Sequence, residues 1–459
     1  MSIRRLVLLA GVAVLAGCTT PVAEVAPSPA ATDAACESFA SYRRAPGTTV
    51  TFLISESSQS GTPLQTTWTE FSRCTGIRIV PEVDSSSPDD FHARIDSGNA
   101  PDLTVIGRPG ALADLVHREQ RVGGHPLFPL PSAASDNVER YWNTTWKAYG
   151  TVDGALYGAP WDASSKSLVW YSPRRFKAAG YSVPHTWDEM MSLSDRIARG
   201  PAKPWCGGLA SGRATGWPAT DWLEEIVLGT YGGEVYDDWV TGRIPFDSPQ
   251  IRSAMRVLEH WMRNPEYVNG GVGDAASMAG TGFQDGGRTI LDGTCFMYPF
   301  PSFYASQWSE FKPDVEVGPE GDIYAFALPP LTPGIPSAVV GGGNFVVAFS
   351  DRPEVQEAAA YLTSPDWAIR RAKLGDGWVT ANMGVPIPTY SDPIVRLSAQ
   401  MLTSPASTFR FDGSDLMPDA VQIAEWKQLT EWFAEDKPTR DVLRAIDAAW
   451  PPGRGTPPR

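Results

Sequence analysis

Between Val50 and Gly107 the chain alternates apolar runs with amphipathic ones: VTFLIS, LQTTWTEFSRC, IRIVPEV, SPDDFHARIDSG and PDLTVIG. The short β-branched runs suit strands and the longer periodic ones suit helices, so the order is β-α-β-α-β. Parallel strands need such crossovers, which restricts this chain to an α/β fold with helices on the faces of a parallel or mixed sheet. In sheets of this kind ligands lie outside the carboxyl ends of the strands. Those ends are Glu56 to Gln59 and Arg108 to Gly110.

Length then sets the number of cores. At 459 residues and 42% hydrophobic composition the chain can fill more than one lobe, because single cores stop growing near ~250–300 residues. Its N-terminus, MSIRRLVLLAGVAVLAGC, places Arg4 and Arg5 ahead of an apolar run too short to span a bilayer, the pattern of an export signal. Leu15-Ala16-Gly17-Cys18 is similar to the lipobox of bacterial lipoproteins, in which the cysteine is lipidated and becomes the mature N-terminus. Residues 1–17 are thus expected to be a lipoprotein signal peptide, and residues 18–45, rich in Pro, Ala, Ser and Thr, a lipid-anchored tether with too little apolar bulk to pack. No later stretch approaches the ~20 apolar residues of a spanning helix. The folded part is expected on the outer face of the cell membrane, held by lipid alone.

Cys36, Cys74, Cys206 and Cys295 remain, an even set in an exported chain, which favours disulfides over metal or redox chemistry. Three pairings are possible, and proximity in sequence favours Cys36–Cys74 with Cys206–Cys295. The formal charge of −14 speaks against nucleic acid, which needs clustered Lys and Arg to displace counterions.

The stretch WCGGLASGRATGWPATDW, Trp205 to Trp222, puts a cysteine and a glycine-rich turn ahead of a helix that Thr220 or Asp221 is expected to cap. Trp217 and Trp222 beside such a helix start suit a neutral, hydroxyl-rich ligand, whose C–H surface stacks on indole while carboxylate and amides take its hydroxyls. The same two rings would also suit a core. A capping box is predicted at Thr186-Trp187-Asp188-Glu189. Other chemistry has no anchor: the five histidines are scattered, and no nucleotide, nucleophile-elbow or zinc motif occurs. The Asp412-Gly413-Ser414-Asp415 turn is only superficially like a calcium loop. No metal or cofactor is expected. A glycosidase needs two carboxylates across a cleft, and among 52 acidic residues no pair stands out.

Several blocks together resemble the sugar-type (family 1) extracellular solute-binding lipoproteins of ABC importers: SGNAPDLTVI, DGALYGAPWD with SLVWYS, HTWDEM, FQDGGRTILDGTCFMY, VVGGGNFVVAF and LMPDAV. ATGWPATDW, WCGGL, NPEYVNGG and FRFDGSDLMP are most similar to the alpha-glucoside-binding branch. The resemblance implies a type II, maltose-binding-protein-like fold: two α/β lobes, joined by crossings near Pro160 to Asp162, Pro330 to Gly343 and Val385 to Pro388. Lobe I would comprise residues 46–161 and 344–385, and lobe II residues 162–343 and 386–459. It further implies a monomer that binds a carbohydrate without altering it and hands it to ABC permease subunits. Glu56 and Arg108 would hydrogen-bond sugar hydroxyls from the first lobe, with Asp162 at a crossing. Trp217, Asp221, Trp222 and Trp426 would face them from the second, and the bare backbone at Gly342 could approach the ligand closely. Ser302 stands where maltose binders place a stacking Trp, for which Phe303 or Trp378 would compensate. A lipid-anchored carbohydrate-active enzyme, or a sensor or adhesin with the same fold, would be the alternatives.

Overall fold

The computed structural model describes residues 34–55, 64–84, 93–122 and 127–452. Cys18, the signal segment, most of the tether and Glu56 lie outside the described residues. No described helix is long and apolar enough to cross a membrane.

The opening alternation folds as β1 (Thr48–Ser55), α1 (Thr69–Thr75), β2 (Ile77–Asp84) and β3 (Leu103–Ile106), with α2 (Pro109–Val122) following. β1 pairs in parallel with both β2 and β3. β4 (Gly158–Pro160), the two-residue β5 (Ser164–Ser165) and β6 (Leu168–Tyr171) come next, then β7 (Lys203–Cys206), β8 (Val268–Asn269), β9 (Cys295–Pro299) and β10 (Tyr324–Ala327). The last strands are β11 (Ser337–Gly342), β12 (Phe345–Ala348) and β13 (Ser407–Phe411).

They form two five-stranded sheets, ordered β2-β1-β3-β12-β4 and β8-β7-β9-β6-β10, and a three-stranded sheet β13-β11-β5. Each large sheet carries its own core. Phe52, Trp161 and Phe345 lie in the first, Trp205, Leu223 and Trp432 in the second. β5, β11 and β13 supply the strands between them. β11 pairs in parallel with β13 and antiparallel with β5, so the three passages support one another. Val395, Ala399, Leu402, Phe409 and Phe411, beyond the expected boundary at 385, are buried in the first core.

Local chemistry explains the remaining helix starts. The expected capping box opens α3 (Trp187–Ala198): Thr186 Oγ1 accepts the Glu189 amide at 3.2 Å, while Glu189 reaches back to the His185 amide at 2.7 Å. The expected cap at Thr220 or Asp221 is corrected, since α4 (Trp217–Val240) begins four residues earlier than Asp221. Pro218, without an N–H to lose, opens the helix, and Gly216 takes φ +111° where a Cβ would meet Trp426 O at 2.2 Å. Thr220 and Asp221 are therefore interior. Both disulfides favoured by proximity are present, with Cα–Cα distances of 5.3 Å for Cys36–Cys74 and 5.5 Å for Cys206–Cys295. The first ties the end of the tether to α1 across 38 residues, worth about 4 kcal/mol by loop entropy.

Candidate ligand site between the two cores

The seam between the cores is organised by a residue that sequence reasoning passed over. Lys166 follows β5, and its amide donates to Val340 O on β11 at 2.9 Å. Its ammonium, on a side chain only 8% exposed, donates to Asp221 Oδ1 at 2.7 Å and to Asp412 Oδ2 just after β13. It also stands 5.2 Å from the centre of the Trp217 ring, close enough for cation–π attraction. One side chain thus touches the ends of all three passages.

Acid surrounds it. Glu224 accepts the Gly413 amide at 2.8 Å, the Ser414 amide at 3.0 Å and the Tyr236 hydroxyl at 3.0 Å. Glu225 takes the Ser167 hydroxyl. These residues and Asp221 occupy one face of α4, at spacings three and four. Glu425, on α6 (Asp419–Ala434), is fully buried, and neither of its carboxylate oxygens has a hydrogen-bond partner. Burial pushes the Glu225 carboxyl up to about 8 and raises Glu224 and Glu425 well above the ordinary carboxylate range; it raises Asp221 as well, against the opposing pull of the Lys166 ammonium. Asp412 goes the other way, held below the usual range by Lys166 and by donors from Ser414 and Asp415, despite burial. Oxygens of Asp221, Glu224 and Asp412 converge closely enough to hold an ion. The Lys166 ammonium is the cation that two of them share.

The Asp412 turn was the visible signal, set aside as a poor calcium loop. It is a cap: Asp412 Oδ1 accepts the Asp415 amide at 3.1 Å and opens α5 (Gly413–Leu416). A second signal was TDWLEEIVLG itself, an apolar helical stretch with three acids on one face, whose charges need partners where the helix is buried.

The expected site residues divide. Trp217, partly exposed, packs on Phe300 at 5.2 Å and on Phe303 at 6.1 Å between ring centres, and Phe303 is 45% exposed. With Asp221 and Gly342 they line the Lys166 neighbourhood, a Cβ on Gly342 lying 3.6 Å from Lys166 Cε. Arg108 reaches across the seam, donating to Asp419 at 2.6 Å with its Nε 3.6 Å from Asp415. Trp426 and Trp378 are half-buried, each with an indole N–H lacking a partner, and Trp378 rests edge-on against Trp367 at 5.5 Å. Two residues are engaged elsewhere. Trp222 is 2% exposed in the second core, and its N–H donates to Pro299 O at 2.9 Å. Asp162 spends both oxygens on Asn344, accepting its amide at 2.7 Å and its side-chain nitrogen at 2.9 and 3.0 Å. Ser302 is buried too, its hydroxyl accepting the Ser165 amide at 3.2 Å on a passage strand.

Two sheet-centred cores joined by three strands around a polar seam define a hinged, two-lobe binding protein. Comparison with known proteins names the family. The family model for bacterial extracellular solute-binding proteins matches residues 55–369. The osmoprotective compounds-binding protein GgtB of Synechocystis is 33% identical over 83% of this chain and 87% of its own. The alpha-glucosides-binding periplasmic protein AglE of Rhizobium meliloti is 32% identical over 83% of this chain and 82% of its own. Among solved structures, the solute receptor AcbH superposes with a TM-score of 0.69 at 15% identity, over 87% of this chain and 97% of that one. RafE of Streptococcus pneumoniae gives 0.66 at 18% identity, over 88% and 98%. At such identities the structural likeness establishes the fold, the maltose-binding-protein-like one. The chain belongs to the bacterial extracellular solute-binding protein family.

Proposed function

We propose that this protein is the substrate-binding lipoprotein of an ABC importer, anchored through Cys18, which captures a carbohydrate between its lobes and delivers it to a membrane permease. The ligand is an alpha-glucoside or a related oligosaccharide. What carries the reading is the Trp217 ring, partly open beside the Lys166–Asp221 pair, a pairing of aromatic face and fixed polar groups suited to a sugar. The relatives' names support the class: AglE binds alpha-glucosides and GgtB osmoprotective compounds.

In this reading residues 46–161 and 344 onward to the end of β13 form the first lobe, and the rest of the folded chain the second. Glu56, Arg108, Trp378 and Gly342 meet the ligand from the first lobe and the hinge. Trp217, Asp221, Phe303 and Trp426 meet it from the second, with Asp162 and Trp222 shaping the site from behind. Asp221 Oδ2, Arg108 Nε and the indole nitrogens of Trp378 and Trp426 are buried without hydrogen-bond partners. Ligand hydroxyls supply the partners such atoms need. The ligand then favours the closed form by its greater affinity for it.

Calorimetric titration of a panel of glucosides, other oligosaccharides, polyols and peptides tests this. Saturable binding of an alpha-glucoside is expected, and the bound sugar should be recovered intact. Binding of a peptide but of no carbohydrate would sink the reading, and release of free monosaccharide from a disaccharide would replace it with the enzyme.

A further inference from the structure

Two second-lobe groups that the proposed site turns toward its ligand, Trp217 and Asp221, lie one helical turn apart on α4. Their own helix does not orient them. The Trp217 ring rests among Phe283, Phe300 and Phe303 at centre distances of 5.3, 5.2 and 6.1 Å, apolar contacts that fix no direction. Asp221 accepts from one donor among the described residues, the Lys166 ammonium on Oδ1 at 2.7 Å, and its Oδ2 has no partner. Lys166 is also the cation over Trp217, 5.2 Å from the ring centre. One ammonium therefore meets both ligand-facing groups.

Lys166 can orient them because it is itself held at both ends. Its amide donates to Val340 O on β11 at 2.9 Å. The hydroxyl of the next residue, Ser167, accepts the Val340 amide at 2.8 Å and donates to Glu225. At the far end the ammonium donates to Asp412, just after β13. The stem between runs past Gly342, where a Cβ would lie 3.6 Å from Lys166 Cε. A lysine side chain has many rotamers to lose on ordering, and here the protein's own contacts order it.

Charge compensation does not account for this placement by itself. Asp412 already collects the Asp415 amide at 3.1 Å and the Ser414 hydroxyl at 2.9 Å, and a cation bonded to it alone would balance it. The contacts with Asp221 and Trp217 are additional, and both belong to the ligand site.

From these contacts we infer that Lys166 is a positioning residue for ligand capture: it presets the Trp217 face and the free Oδ2 of Asp221 in the arrangement the ligand meets. The inference rests on the ligand site of the proposed function and adds the residue that sets its geometry. Groups ordered beforehand cost the ligand nothing to order, and each side chain left loose lowers the affinity.

Calorimetric titration with maltose, trehalose and sucrose tests this, with urea denaturation run beside it. Lys166→Met alone would leave buried acids uncompensated. The measurement is therefore made on Lys166→Met/Asp412→Asn, where a cation and an anion leave together and Asn remains a good cap. Relative to Asp412→Asn alone, the double variant should bind at least about tenfold more weakly, the scale of two side chains left to order. In a Trp217→Ala background the same comparison should give a clearly smaller loss, because part of what Lys166 positions is already gone. Lys166→Arg keeps the charge but exchanges a point charge for a longer planar fork; it should hold the parent's unfolding midpoint and still bind more weakly. A lysine that only balances charge predicts equal affinities with and without Lys166, and for Lys166→Arg, the loss being confined to the midpoint. That result, or an undiminished loss in the Trp217→Ala background, would overturn the inference and leave the proposed function standing. No binding of any of the three sugars by the parent would instead remove the proposed function, and the inference with it.

Discussion

Lys166 Nζ lies 2.7 Å from Asp221 Oδ1, on side chains 8% and 5% exposed. A pair so buried contributes less than its Coulomb attraction suggests, because both ions were stripped of water. Removing one partner is the severe change, since the other charge is left uncompensated. Lys166→Met should therefore destabilise the fold by about 3–5 kcal/mol, read from urea denaturation. Adding Asp412→Asn to that variant should recover part of the loss. If Lys166→Met unfolds at the parent's midpoint, Lys166 does not balance this cluster.

Trp217 and Trp222 separate function from packing five residues apart on one helix. Trp222 is a core residue with a satisfied N–H, so Trp222→Ala should cost about 3–5 kcal/mol and lower ligand affinity only as the folded fraction falls. Trp217 is partly exposed among Phe300, Phe303 and Lys166. Trp217→Ala should weaken ligand binding at least about tenfold, the scale of a lost stacking contact plus its apolar area, with a small change in thermal midpoint. Equal affinities for parent and Trp217→Ala would move the site elsewhere on the seam.

What could be seen beforehand follows the physics of each feature. Strand and helix alternation in VTFLIS through PDLTVIG is a local pattern, and the parallel pairing of β1 with β2 and β3 follows from it. The disulfides were legible because few cysteines remained to pair. The helix start at Trp217 was missed because Asp221 is a good capping residue by type, while Pro218 and the positive φ of Gly216 decide the matter by geometry. Trp222 and Trp217 look alike in sequence, and only the way the helix is turned distinguishes them. Lys166 was invisible because its partners lie 55 and 246 residues away, and no local spacing reports a contact of that range.

Arg108 makes the clearest ionic contact across the seam, with Asp419 at 2.6 Å. Its side chain is 30% exposed and that of Asp419 58%, so the pair is screened and worth under ~1 kcal/mol to stability. Arg108→Ala should leave the unfolding midpoint nearly unchanged while speeding ligand dissociation severalfold, because a contact that bridges the two sides of the seam favours the form in which they meet over the ligand. Stopped-flow fluorescence of the bound protein measures this. A parent-like off-rate would confine Arg108 to the surface.

Stability should peak in weak acid, because two kinds of carboxylate act in opposite directions. Asp247 accepts from Arg252 at 2.7 Å, Arg440 at 3.2 Å and Arg444 at 3.0 Å. The Arg252 bond first, then the other two, hold its carboxyl down at about 2 against an ordinary 3.8. That stabilisation is complete above the ordinary value and is lost as pH falls through about 2. Glu225 is the reverse: burial pushes it up to about 8 from an ordinary 4.5, so its effect is most favourable below about 4.5 and is lost as pH rises toward 8. Urea midpoints at about pH 3, 5 and 8 should form an arch. Asp247→Asn should flatten the acid side alone and Glu225→Gln the neutral side alone. A Glu225→Gln variant whose midpoint still falls between about pH 5 and 8 as steeply as the parent's would show that other buried acids, Asp221 and Glu425 first, carry that slope.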